Sequence, residues 1–69
     1  MLQITINGEA RTLADKPSLA ELLDRLGYDR TRVAVEVNQA VVPRKTHPEH
    51  YLNTGDAVEI VTLVGGGAP

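Results

Sequence analysis

Ser18-Leu19-Ala20-Glu21-Leu22-Leu23-Asp24-Arg25-Leu26-Gly27 is the stretch that decides how this chain folds. Leu19, Leu22, Leu23 and Leu26 fall at i, i+3, i+4 and i+7, which puts them on one stripe of an α-helix. Ser18 can cap the first free amides, and Glu21, three residues on, can reach back as a capping box. Gly27 stands where a left-handed C-terminal cap is favoured. A single amphipathic helix has one apolar face to bury, and the flanking sequence must supply the layer that covers it.

Upstream, Leu2-Gln3-Ile4-Thr5-Ile6 alternates apolar and polar residues, the period of a half-buried strand with Leu2, Ile4 and Ile6 inward. Asn7-Gly8 follows, a strong hairpin signal because both residues tolerate the positive φ of a tight primed turn. The second strand runs from Glu9 to Leu13, with Leu13 facing in, and Asp15-Lys16-Pro17 ends it. Downstream, Arg32-Val33-Ala34-Val35-Glu36-Val37 is a β-branched run with Val33, Val35 and Val37 on one face. Asn38-Gln39 turns the chain into a short strand, Ala40-Val41-Val42, and Pro43 opens an irregular or single-turn segment through Tyr51. Leu52 anchors its end, Asn53-Thr54-Gly55-Asp56 makes a further turn, and the last strand runs from Ala57 to Leu63.

Hairpin, helix, two strands, turn, strand is the order of an α+β domain with a mixed sheet of about five strands and one main helix on one face. Short connections place the first and last strands side by side as a parallel pair. That is the ubiquitin-like β-grasp, in which the last strand lies centrally. Residues 1–64 make the domain, and residues 65–69 a flexible glycine tail with an Ala68-Pro69 extension.

The chain has 69 residues, no Phe, no Trp and no Cys, so the core rests on Val, Leu and Ile without a disulfide. A net charge of −2, with its basic residues scattered among acids, argues against a nucleic-acid partner. No apolar run approaches the ~20 residues of a membrane span, and the N-terminus lacks the features of a secretory signal, which makes cytoplasm the expected location. His47-Pro48-Glu49-His50 has the look of a metal or acid/base cluster, but catalytic zinc wants three protein ligands in a supporting cavity. The reading is a solvated loop with ordinary histidines. No nucleophilic triad and no phosphate-cradling loop is present.

What remains is the chain end, Val61-Thr62-Leu63-Val64-Gly65-Gly66-Gly67-Ala68-Pro69. Val58 and Ile60 share the parity that faces the helix, which leaves Val61 and Leu63 on the open face as a docking surface continuous with Val64 and Gly65. Glycine lets backbone approach another surface closely, and Val64 to Gly67 fully extended would reach about 13 Å into a partner. The alternative is a frayed terminus. A carboxylate at such an end becomes a good acyl donor once an enzyme joins it to AMP. A sulfur nucleophile then displaces the AMP, and release from the enzyme's sulfur leaves a thiocarboxylate.

The chain resembles the ThiS family of thiamin-biosynthesis sulfur carriers from Leu2 to Gly67. The resemblance is carried by Asn7-Gly8, the Leu19–Leu26 helix, Ala34-Val35-Glu36-Val37-Asn38, Val42-Pro43-Arg44, Leu52 through Val61 with its Gly55-Asp56 turn, and Val64-Gly65-Gly66-Gly67. It implies a β-grasp fold and a carrier rather than an enzyme. The terminal glycine, Gly67 beside Gly66, would be adenylated by a ubiquitin-activating-like adenylyltransferase that uses ATP and magnesium, with no cofactor held permanently. The thiocarboxylate would then deliver sulfur to thiazole synthase. The family ends at its glycine pair, whereas Ala68-Pro69 follow here. A protease that removes Ala68 and Pro69 would make Gly67 the working end. Otherwise the extension is tolerated or marks a different user, or the chain no longer carries sulfur.

Three further readings fit the same residues. The sulfur could serve cysteine or methionine synthesis, molybdopterin or tRNA thiolation. The domain could be a non-covalent interaction module with an inert tail. It could also be a modifier attached to lysines, which would show as conjugates dependent on Gly67.

Overall fold

In the computed structural model, which describes residues 1–63, β1 (Leu2–Ile6) and β2 (Glu9–Leu13) pair antiparallel from Leu2 opposite Leu13 to Ile6 opposite Glu9. Asn7 and Gly8 join them with φ of 50° and 83°, the left-handed pair that a type I′ turn requires. Helix α1 (Leu19–Arg25) follows and opens on the expected capping box. Glu21 N donates to Ser18 Oγ at 3.1 Å, and Ser18 N donates to Glu21 Oε1 at 2.9 Å. Leu19, Leu22 and Leu23 are buried in the core, whereas Leu26 caps the C-terminus and is only partly buried. Gly27, at φ 84°, turns the chain out of the helix.

Ser18→Ala should destabilise the domain by about 1 kcal/mol, because it frees the Glu21 amide and removes half of the box. A urea melt reads this as a lower midpoint at unchanged slope.

Strands β3 (Val33–Val37), β4 (Ala40–Val41) and β5 (Ala57–Thr62) complete a five-stranded sheet in the order β2-β1-β5-β3-β4. β1 and β5 are parallel, with Thr5 opposite Ala57 and Ile6 opposite Val58. β3 runs antiparallel to β5 from Val33 opposite Thr62 to Val37 opposite Val58. The helix covers one face of this sheet. Leu2, Ile4, Ile6, Val33, Val35, Val37, Val58 and Ile60 meet its leucines, with Leu52 closing the end of the layer. This is the single-helix β-grasp.

Three local features differ from the sequence expectation. Arg30–Arg32 forms a 3-10 turn, held by Asp29, whose carboxylate accepts from Thr31 N at 2.9 Å and Thr31 Oγ1 at 2.6 Å. Val42 turns inward and is buried, so β4 stops at Val41, although Val42 N still donates to Val35 O at 2.9 Å. The segment Arg44–Glu49 winds as a 3-10 helix with Pro48 inside it. That winding corrects the solvated-loop expectation for His47, which is 1% exposed. Its Nε2 donates to Val42 O at 3.0 Å, while Nδ1 is buried without a partner. The imidazole is part of the packing between α1 and the sheet edge. His50 lies at the segment's end, half-buried.

Candidate functional site

β5 sits at the centre of the sheet, and each of its ends is fastened by side chains from other elements. At its start, Asn38 Oδ1 accepts from Ala57 N at 2.9 Å while Asn38 Nδ2 donates to Asp56 Oδ1 at 2.9 Å. Asp56 Oδ2 in turn accepts from Asn53 N at 2.9 Å, closing the turn in which Gly55 takes φ 99°. Asn38 itself stands at φ 52°, a conformation that asparagine tolerates better than most residues.

At the far end the β1–β5 ladder is continued by a side chain. Asn7 Oδ1 accepts from Ile60 N at 2.7 Å, and Asn7 Nδ2 donates to Ile60 O at 3.4 Å. From the other side, Leu63 N donates to Arg32 O at 2.7 Å. The 3-10 turn that carries Arg32 is tied down by Arg44, whose Nη2 donates to Thr31 O at 3.2 Å. Hydrogen bonds from the Thr31 side chain and amide, helped by Arg32 and Arg44, hold the Asp29 carboxyl below its usual range. The chain thus leaves the sheet at Leu63 from a position fixed on both flanks.

Val58 and Ile60 point into the core, while Val61 and Leu63 are 54% and 52% exposed on the opposite face, as their parity predicts. Beside Leu63 lies a pocket of about 170 Å³, lined in part by Ala34, Val41, Pro43 and His47. A larger cleft of about 420 Å³ lies at the other end of β5, where its Asn38 and Asp56 side chains are already engaged with the turn. Among the described residues no group of three His, Cys, Asp or Glu could hold a metal, and no helix is long and apolar enough to cross a membrane. The sequence assignments to Val64, Gly65, Gly66, Gly67, Ala68 and Pro69, and the domain boundary at 64, lie outside the described residues.

Two contributors to the site escaped the sequence reading. The sequence places Asn7 only in the hairpin turn, yet its side-chain amide also pairs with β5. The signal was present in the residue type, since aspartate suits such a turn as well but has no donor for a carbonyl. The Arg30–Arg32 turn carried only the Asp29-x-Thr31 spacing, a weak local signal.

Fold and site together define a ubiquitin-like β-grasp domain whose central strand hands the chain directly to a glycine run. A model of the ThiS family matches residues 4–67, and the chain belongs to that family. The sulfur carrier protein ThiS of Thermus thermophilus is 38% identical over 64 residues, covering 93% of this chain and 98% of that protein. A crystal structure of the thiamine biosynthesis protein ThiS from Geobacter metallireducens superposes with a TM-score of 0.81 at 33% identity, covering 96% of this chain and all of that one. A thiazole synthase of Paramagnetospirillum magneticum is 39% identical over 67 residues, but this chain spans only 21% of that protein.

Proposed function

We propose that this chain is a sulfur carrier for the thiazole ring of thiamin, acted on by other enzymes and performing no chemistry alone. Its working group is the carboxylate of Gly67, exposed once Ala68 and Pro69 are removed by a protease. An adenylyltransferase with its own ATP and magnesium brings that carboxylate to the α-phosphate, and pyrophosphate leaves. A persulfide on the enzyme displaces AMP to give an acyl disulfide. A second thiol then attacks the enzyme's sulfur, the S–S bond to the carrier breaks as a new disulfide forms, and the thiocarboxylate so released passes its sulfur to thiazole synthase. The carrier itself holds no cofactor, and its need for ATP suits a cytoplasmic setting. Gly66 and Gly65 have no side chain to obstruct entry of the chain end, and Val64 joins them to the sheet.

The observation that carries this reading is the fastening of β5 at both ends, which presents the glycine run from a fixed point beside Val61 and Leu63. It is supported by a family match that runs through Gly67 and leaves Ala68 and Pro69 outside it. Thiazole as the destination, rather than another sulfur acceptor, is favoured by the thiazole synthase that contains a similar segment.

Val61 and Leu63 would dock against the activating enzyme while the glycines enter its active site. Leu63→Glu should therefore weaken that complex about tenfold or more, since burying an unpaired charge at an interface is costly. Because Leu63 is half exposed, the free domain should melt within a few degrees of the parent. Calorimetric titration of the enzyme alongside thermal unfolding checks both, and wild-type affinity in the variant would remove Leu63 from the docking surface.

A further inference from the structure

Asn7 and Gly8 form the exposed two-residue turn between β1 and β2, at φ of 50° and 83°. A turn of this type favours Asn, Asp or Gly followed by Gly. The pairing with β5 narrows the choice at the first position. Asn7 Oδ1 accepts from Ile60 N at 2.7 Å and Nδ2 donates to Ile60 O at 3.4 Å, so the side chain must both accept and donate. Aspartate lacks the donor and glycine has no side chain, which leaves asparagine. The dipeptide that satisfies both demands is also chemically labile. With no side chain on Gly8, its backbone nitrogen meets little hindrance in reaching the amide carbon of Asn7. A Cβ built on Gly8 would meet nothing within 4 Å, so the turn lies open to water and base. The other asparagines of the chain, Asn38 and Asn53, precede Gln39 and Thr54, whose side chains obstruct the same approach.

We infer that Asn7 is a site of spontaneous modification, and that its pairing with Ile60 holds the reaction off in the folded chain. The Gly8 nitrogen gives its proton to base and attacks Asn7 Cγ. The new N–C bond closes a succinimide ring as the Cγ–Nδ2 bond breaks, and the amide nitrogen leaves as ammonia. Water then opens the ring at either carbonyl. The products are aspartate and isoaspartate, the latter with the main chain rerouted through the side-chain carbons. No oxidant or cofactor enters. In the native turn both polar atoms of the Asn7 side chain are held by Ile60, so Cγ reaches the Gly8 nitrogen only when the turn opens locally. Either product damages the end of β5. Aspartate sets a carboxylate oxygen where Nδ2 stood, which leaves Ile60 O without its donor and facing a second acceptor. Isoaspartate adds a main-chain carbon to a two-residue turn and disturbs the register that the turn fixes. A modified copy therefore loses one of the two fastenings that hold the strand where it ends.

The full chain is incubated in mildly alkaline buffer, folded and in guanidinium chloride, then digested and its peptides weighed. No activating enzyme is needed, so the result is independent of the carrier reading. In denaturant the peptide carrying Asn7 should gain the mass of the NH2-to-OH exchange about tenfold faster than those carrying Asn38 and Asn53, because its attacking nitrogen is unobstructed. Part of the product should be isoaspartate, the mark of the ring intermediate. In the folded chain the Asn7 rate should drop about tenfold or more, since reaction waits for the turn to open. Asn7→Asp, which reproduces one product, should melt about 5 °C or more below the parent. An Asn7 that stays intact in denaturant, or that Asn38 or Asn53 outpaces, overturns the site. Equal rates in the folded and unfolded chain overturn the protection by Ile60. An Asn7→Asp chain that melts with the parent overturns the damage to β5.

Discussion

Gly67→Ala should lower formation of the acyl-adenylate about a hundredfold or more while leaving thermal unfolding where it is. The carboxylate must reach the α-phosphate through a passage shaped for bare backbone, and a methyl there displaces the reacting atoms. A misplacement of about 1 Å at a reacting centre is enough for a loss of that size. Stability should be unaffected because the buried core residues run from Leu2 to Ile60, all well before Gly67. The measurement is pyrophosphate release by the adenylating enzyme on chains ending at residue 67, with melting curves recorded in parallel. A variant activated at the parent rate would mean that Gly67 is not the reacting end, and a variant that melts early would make the glycine run structural.

Leu23→Ala should have the largest effect on folding. Leu23 is fully buried at the centre of the helix stripe, packed with the inward residues of the sheet. Truncating such a leucine typically costs about 2–5 kcal/mol, the loss growing with the cavity that remains. A single core in a chain of fewer than 80 residues rarely supplies more than about 3–5 kcal/mol, so the variant should be largely unfolded at 37 °C. Leu26→Ala provides the internal comparison. Leu26 belongs to the same stripe but is only partly buried, so its loss should be clearly smaller. Urea melts of the two variants check the order, and equal losses would show that the helix is not docked as described.

Much of the site was legible because its determinants are local and periodic. Alternation placed Val58 and Ile60 inward and Val61 and Leu63 outward, and that parity survives in the structure. The helix declared itself through Ser18, Glu21 and four leucines, and the hairpin through two residues that tolerate positive φ. What was not legible depends on partners far away in sequence. Nothing beside Asn7 says that its amide will meet Ile60, and nothing beside His47 says that Val42 will turn its carbonyl toward the ring. Pro43 opens a segment that the sequence leaves irregular or as a single turn, because proline cannot continue an α-helix, and the segment winds as the 3-10 helix Arg44–Glu49 with Pro48 accommodated inside it. The opposition of Glu36 and Glu59 likewise emerges only from the β3–β5 register, since the two residues lie in strands far apart in the sequence.

Asn38, Pro43 and Arg44 carried part of the family resemblance, and the structure gives two of them a mechanical role around the site. Asn38 holds the start of β5, and Arg44 ties down the turn whose Arg32 carbonyl holds its end.

The most direct test of the carrier account is the intact mass of this protein isolated from its native cells. The account predicts a chain ending at Gly67, with a fraction heavier by the exchange of one carboxylate oxygen for sulfur. A chain that retains Ala68 and Pro69, with no sulfur-bearing form in any fraction, would contradict it.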